Sequence, residues 1–600
     1  MRIHLVIPKI SAAGTLPMFS SQPNRRLKPF LAAAAAGGLT LLLVWWFWFA
    51  SPGFVWVEPT AAVALPGTQA NAVVSPDGTT IAFSWKGPGD DNWDIYLTRI
   101  GTGEQVRITD SPDIELYPAW SSDSRFIAYV QLSERQCGIF KAPVSGGPAT
   151  RLCESSPFAR GLAWDSSSGL LAVSDKREES DNRHILLIDT KTGQRRKLAA
   201  PPVRSSGDLD PVFSPDGSRV AFRRIHSYGR HELLTAAVNG TGFPKPLIRG
   251  YWGQINGHAY GPGGDRIVFC SNRGGRFELW QLSVSGGDPI RLPVMGHQMA
   301  DPSAALTGTR MIYRDLEERT RIFGLSLSLD GVVDGAPEPL FSTKGSERYP
   351  RIGPGGTHLA FASSRDGHSE TFLGNLGDGT VAKLEKLRQH RAGFYRWSPD
   401  GKALVFTSLR SGEADLWSLD WESSALRRLT FASWDETNGV FSRDGAWIYF
   451  ASNRDGHWRI QKIPAEGGKA QLVAAGFLAE EGPGDGFLYV LRLESPADEG
   501  AAIWRRPLAG GSETRVLAGI ELWDWASWAV RSSGIYFLDR NPTRIVRFDF
   551  ASKKVLEVYE PRLGLPFFGP ALDVSQTEDR LYLCQVEESD DAVMVAAFPK

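Results

Sequence analysis

A motif that returns about every 46 residues dictates what this chain can become, because a unit that short cannot bury its own apolar face and must stack on copies of itself. The clearest copies are SPDGTTIAFSW (Ser75–Trp85), SPDGSRVAFRR (Ser214–Arg224), SPDGKALVFTS (Ser398–Ser408) and SRDGAWIYFAS (Ser442–Ser452). Weaker ones keep the frame, so that Asp77, Asp123, Ser167, Asp216, Gly263, Thr307, Gly355, Asp400, Asp444 and Asp485 mark the Asp place. Eight steps carry Asp77 to Asp444, a span of 367 residues. Degenerate copies around Gly534 and Thr577 bring the number to about twelve.

Each copy has the same grammar. An apolar strand such as Pro118-Ala119-Trp120 or Tyr395-Arg396-Trp397 enters the turn, where Pro presets φ, Asp bonds the turn backbone and Gly tolerates positive φ. A second strand follows (Ile81-Ala82-Phe83, Ile448-Tyr449-Phe450) and then a third (Asp94-Ile95-Tyr96, Glu278-Leu279-Trp280, Asp415-Leu416-Trp417). A fourth closes with Arg107-Ile108-Thr109, Arg291-Leu292 or Arg428-Leu429-Thr430, often after a Gly-Gly turn as at Gly286-Gly287. Four short antiparallel strands per repeat, with no long helical pattern between them, describe propeller blades, and a ring holds about 4–8 of these. The expected fold is therefore all-β: tandem β-propellers of about twelve four-stranded blades, six plus six, with seven plus five as the alternative. The expected divisions are 54–342 and 343–600, and Trp56–Leu65 is expected to supply a strand that closes one ring.

Phe30–Ala50 reads FLAAAAAGGLTLLLVWWFWFA, 21 residues without a charge. As a helix it covers the ~30 Å hydrocarbon layer, so one N-terminal transmembrane helix is expected. Arg25, Arg26 and Lys28 precede it and Glu58 is the first charge after it, which puts 1–29 in the cytoplasm as a short tail and the repeats outside. A bacterial inner-membrane, single-pass protein with periplasmic propellers is the corresponding expectation. The competing reading is a cleaved signal peptide. A cut after Ala50 would put Trp48 where a small residue is required, and Ala62-Val63-Ala64 lies well downstream of the apolar run.

Charge excludes a polyanion-coating surface: 66 Lys+Arg stand against 67 Asp+Glu. Four cysteines (Cys137, Cys153, Cys270, Cys584) include no Cys-x-x-Cys pair. A Cys137–Cys153 bridge is open in an oxidising compartment, and free thiols are the other reading.

The Ser-Pro-Asp-Gly turn, the Asp-Ile-Tyr strand and the Arg-Leu-Thr close resemble the TolB-type propeller repeat over residues 60–600. The layout from Asn24-Arg25-Arg26 through the apolar run to Gly534-Ile535-Tyr536-Phe537 is similar to the sensor half of CadC/ToxR-like membrane-bound transcriptional regulators of Acidobacteria. That resemblance implies a winged-helix DNA-binding domain before the anchor, for which 29 residues are too few, so no nucleic-acid partner is expected of this chain as given.

Catalytic motifs do not emerge. No Gly-x-Ser-x-Gly elbow occurs, and the repeats leave no room for an α/β-hydrolase. His231-Glu232 begins like a zinc motif but Thr235 stands where the second His is required, and Gly467-Gly468-Lys469-Ala470 lacks a phosphate loop's spacing. Asp90-Asp91 and Asp590-Asp591 lack the alternating carboxylates of a calcium loop. Trp523, Trp525 and Trp528 could line a ligand mouth or belong to a core, and Arg273, Arg365 and Arg454 recur with the repeat as stabilisers of each blade. The expectation is a non-catalytic, membrane-anchored binding or sensor protein without cofactor or metal. It takes a protein or small ligand on a propeller face and touches the membrane through residues 30–50; no individual binding residue is assigned. The alternatives are a CadC-like regulator lacking its DNA-binding domain and a TolB-like envelope interaction protein.

Overall fold

The computed structural model describes residues 58–598 apart from 88–91, 134–136, 177–181, 203–204, 206, 228–229, 249–252, 342–344, 368, 391, 494–500, 521–526, 541–542, 563 and 566–569. The chain divides into Met1–Trp56 and Val57–Lys600, and every described strand belongs to the second unit. Phe30–Ala50 lies outside the described residues. Among those that are described, no helix is long and apolar enough to cross a membrane.

The turn chemistry is as the repeat implies. Ser75 Oγ donates to Asp77 Oδ1 at 2.5 Å and accepts the Thr80 amide at 3.0 Å, while Asp77 Oδ1 accepts the Thr79 amide at 3.0 Å. Gly78 completes the turn at φ +73°. The same Ser–Asp bond recurs at Ser214–Asp216, Ser398–Asp400 and Ser442–Asp444. The serine hydroxyl, then the turn amide, holds the carboxyls of Asp400 and Asp444 below the usual range.

The Asp-Ile-Tyr and Arg-Leu-Thr segments are two ends of one clamp. The acid that opens the third strand pairs with the base of the fourth: Asp94–Arg107 at 2.8 Å, Glu278–Arg291 at 2.7 Å and Asp415–Arg428 at 2.7 Å. Thr109 and Thr430 then accept the amides of Ile95 and Leu416. Between these polar edges the second strand is buried on both faces, with Ile81, Ala82 and Phe83, or Leu404, Val405 and Phe406, at 0% exposure. Such strands read as apolar runs because a blade is sandwiched between two others.

Among the described residues there are ten four-stranded antiparallel sheets and one six-stranded sheet, consistent with tandem β-propellers. The first strands of the sheets are neighbours in two closed cycles. One runs through Thr68–Val74, Ile114–Trp120, Arg160–Asp165, Gly207–Phe213, Ile255–Tyr260 and Gln298–Ala304 and returns to its start. The other runs through Glu347–Ile352, Gly393–Trp397, Glu436–Phe441, Leu478–Glu481, Trp528–Val530 and Leu572–Val574.

The six-stranded sheet is where both cycles close. Arg310–Leu327 and Arg580–Ala597, 18 residues each, pair antiparallel along their whole length, from Arg310↔Ala597 to Ser326↔Arg580. At one end Gln298–Ala304 and Thr60–Ala64 flank them, completing the sixth sheet of the first cycle. At the other end Leu572–Val574 and Val333–Pro339 flank them, completing the sixth sheet of the second. The pairing therefore runs across the expected 342/343 division: residues 320–339 serve the second cycle and residues 588–597 the first. The strand expected within Trp56–Leu65 is Thr60–Ala64, and it closes the first cycle.

Inner strands carry a bulge four residues before the turn, with positive φ at Asn71, Tyr117, Asp210 and Asp301 in the first cycle and at Tyr349, Phe394 and Asn438 in the second. Gly257 takes the same place at φ +84°, where a Cβ would lie 2.7 Å from the Asp301 Cα. Neighbouring bulges touch there, and only glycine leaves room.

Two predictions follow from these contacts. Arg314 holds Asp591 bidentately, at 2.8 and 2.6 Å, across the long-strand ladder. Asp591→Ala leaves the guanidinium unpaired and should cost about 3 kcal/mol or more in denaturant unfolding. Glu115, 1% exposed on an inner strand, is pushed up to about 7 by burial, partly offset by the Thr109 hydroxyl. An acid with a raised folded-state pKa binds its proton more tightly when folded, so its contribution to stability falls as pH rises from about 4.5 to about 7. Glu115→Gln should flatten the pH–stability curve in that window and exceed the parent chain in melting temperature at pH 8.

Candidate functional site

The repeat frame itself locates the site. Two residues before the turn, the inner strands of the first cycle carry Val73, Ala119, Ala163, Val212, Ala259 and Ser303, all small or apolar. The same column in the second cycle reads Arg351, Arg396, Val440, Glu480, Ala529 and Asp573. Arg531, at the turn of the fifth sheet, joins them. Five different sheets contribute these charges, and Glu480, Asp573 and Arg531 act on both Arg351 and Arg396, so they converge on the axis of the cycle.

Arg531 is the hub. It is 4% exposed, donates to Glu480 Oε1 at 3.1 Å and Asp573 Oδ1 at 3.0 Å, and gives further bonds to the carbonyls of Val574, Ser575 and Val530. Asp573 also accepts the amides of Ile352 at 3.0 Å and Val574 at 2.9 Å. Arg351, 1% exposed, donates to the Leu572 carbonyl at 2.7 Å, and its own carbonyl accepts the Trp397 indole at 3.0 Å. Arg396 is half-buried, and its one hydrogen bond among the described residues is a 3.5 Å contact with the Tyr395 carbonyl.

Three guanidiniums thus face two carboxylates. Burial, then the neighbouring Arg396, pushes Arg351 down to about 9, and burial lowers Arg396 in the same direction. Beside the cluster stands Arg443, an exposed residue of the third turn whose amide and Nε bond Glu481. Burial and the Arg531 charge lower Arg443 too, although the acids around it oppose them. Chemically the arrangement sets three guanidiniums against two carboxylates, a net positive charge at the axis.

The axis of the first cycle is different. Asp210–Arg223 and Asp591–Arg314 are paired at 2.8 and 2.6 Å. Burial raises the Asp301 carboxyl beside them, and burial pushes His258 down to about 4, which keeps it neutral at pH 7.

Residues singled out in the sequence fall elsewhere. His231 is buried, accepts the Ile255 amide at 3.0 Å and is pushed down to about 3 by burial, while Glu232 bonds His226 at 2.7 Å. Gly467-Gly468 closes a strand turn at positive φ. Asp591 is engaged by Arg314, whereas Asp90, Asp91, Trp523 and Trp525 lie outside the described residues. Trp528 is core at 4% exposure. Arg273, Arg365 and Arg454 lie over Trp280, Phe372 and Trp434 at 4.9, 4.5 and 5.2 Å, one per blade. All four cysteines are free thiols. A Ser–His contact does exist, Ser408 Oγ to His390 Nδ1 at 3.1 Å, but both residues are at most 1% exposed and the imidazole is wedged between Phe406 and Trp417. No substrate atom reaches that hydroxyl. Among the described residues no group of His, Cys, Asp or Glu is arranged to hold a metal.

The class of protein is thus an all-β propeller scaffold whose distinctive chemistry lies on an axis. Residues 326–484 match the TolB beta propeller domain family, so the chain carries a TolB-like β-propeller domain. It is similar to an uncharacterized protein of Agrobacterium fabrum, 32% identical over 80 residues, 13% of this chain and 27% of the relative. It is also similar to dipeptidyl-peptidase 5 of Porphyromonas gingivalis, 20% identical over 60% of this chain and 47% of that one. The chain spans less than half the length of either relative. Among solved structures, TolB from Acinetobacter baumannii is 16% identical over 56% of this chain and 76% of its own, with a TM-score of 0.24.

Removing the hub should be costly. Arg531→Met strands Glu480 and Asp573 without their cation, and should lower unfolding stability by about 3 kcal/mol or more as read by urea titration.

Proposed function

We propose that this chain is a non-catalytic binding or sensor protein, anchored in the bacterial inner membrane by residues 30–50, whose periplasmic propellers take a protein or small ligand at a propeller face. The observation that carries this reading is the charged column on the second axis, where the other cycle has only small or apolar side chains. Charge at a position that packing does not require is retained for recognition, not for stability, since burying it disfavours folding. The repeats explain their own polar residues through turns and clamps, which leaves the axis as the place for function.

A second reading is the receptor half of a CadC-like transcriptional regulator. It is favoured by the resemblance of Asn24-Arg25-Arg26, the apolar run and the repeats to that family. A TolB-like envelope interaction is the third, favoured by the domain match at 326–484.

Cross-linking the tagged full-length chain in native membranes, followed by mass spectrometry, separates these readings. An envelope partner captured by the parent chain and lost with Arg443→Glu supports the binding reading. Predominance of DNA-bound partners supports the regulator. Turnover of peptide or ester substrates by the purified full-length chain overturns the non-catalytic reading.

A further inference from the structure

The second axis holds a surplus cation whose ligand can be specified chemically. Arg351, Arg396 and Arg531 stand against Glu480 and Asp573, and Arg531 alone engages both carboxylates. Asp573 also accepts two backbone amides. Arg396 is left with a single 3.5 Å bond for its five N–H donors. A half-buried guanidinium whose N–H donors are not taken up by the protein is free to hold an oxyanion, and two features favour one here. An exposed cation, Arg443, bonds the strand that carries Glu480 and so stands beside the cluster. The planar fork of an arginine matches the paired oxygens of a carboxylate or phosphate.

We propose that the second axis binds a small oxyanion, with Arg396 as its principal ligand and Arg443 guiding it in at the mouth. The anion replaces the missing partner and brings the axial charge into balance. Arg531 is excluded as a ligand by its saturation; it positions the site by holding Glu480 and Asp573 away from Arg396. The repeat supports the assignment independently, because the adjacent arginines Arg351 and Arg396 fill a column that is Val73 and Ala119 in the first cycle, so the scaffold closes equally well without them.

The proposal rests on the reading of the second axis as the binding site, and its test is separable from the test of that reading. Titration calorimetry on the purified full-length chain is done with inorganic phosphate, with malonate and with chloride at equal ionic strength. Saturable binding of phosphate or malonate, absent with chloride, is expected; which of the two binds tells a phosphate source from a carboxylate source. Arg396→Gln should weaken binding about ten- to a hundredfold, the loss of a charge-assisted bond pair, and melt at or above the parent temperature in chloride buffer because one of three neighbouring positive charges is gone. Arg396→Lys should retain part of the affinity, which also serves if the glutamine variant fails to fold. Equal responses to all three salts, or an affinity within twofold of the parent in both variants, overturn the proposal. Partner capture that survives Arg396→Gln but is lost with Arg443→Glu would leave the binding reading standing without the oxyanion.

Discussion

Everything in the described unit hangs on the ladder between Arg310–Leu327 and Arg580–Ala597. A propeller is a ring of sheets that must not leave an open seam, since a seam exposes unpaired strand edges and the flanks of two apolar blades. Here one ladder seals two seams. The first half of each long strand belongs to one cycle and the second half to the other, so neither cycle closes from its own stretch of chain. Thr60–Ala64 and Val333–Pro339 then add the outer strand at either end. The early strand Thr60–Ala64 meets the last described strand, Arg580–Ala597, which makes closure a contact of extreme sequence separation.

Within that closed frame the polar repeats form a scaffold. Ser–Asp turns, Asp–Arg clamps and arginines over aromatic rings satisfy each blade locally, and every one recurs at the same place in its copy. The energies of the clamps are individually modest, because the arginine of each stays partly in solvent. Their value lies in register, since each clamp ties the third strand to the fourth and fixes which side chains face the neighbouring blade. The second-cycle axis stands outside this grammar. Its five charges come from five blades, and no two of them lie within a single repeat unit.

The blades were legible because turn chemistry and period-two alternation are local properties. Ser-Pro-Asp-Gly needs only its own four residues, and the apolar triplet after it needs only its neighbours. The arginines of the Ser-Asn-Arg loops were legible for the same reason, as repeat features. The axial site was present in the sequence as a column, at Arg351, Arg396, Glu480 and Asp573, but a column acquires meaning only when the frame is aligned and its departures are compared. Arg531 hid even from that comparison: the fifth sheet of the second cycle turns in two residues, from Arg531 to Gly534, and shifts its charge out of the column.

The strand content, the blade repeat and the apolar run at Phe30–Ala50 can all be stated from the order of residues, because each depends on groups a few positions apart. Which strand seals which cycle, why the chain's final strand serves the first cycle, and that Arg396 faces carboxylates already claimed by Arg531 depend on residues tens to hundreds of positions apart. Only closure brings such residues together, and only closure leaves one guanidinium more than the carboxylates beside it.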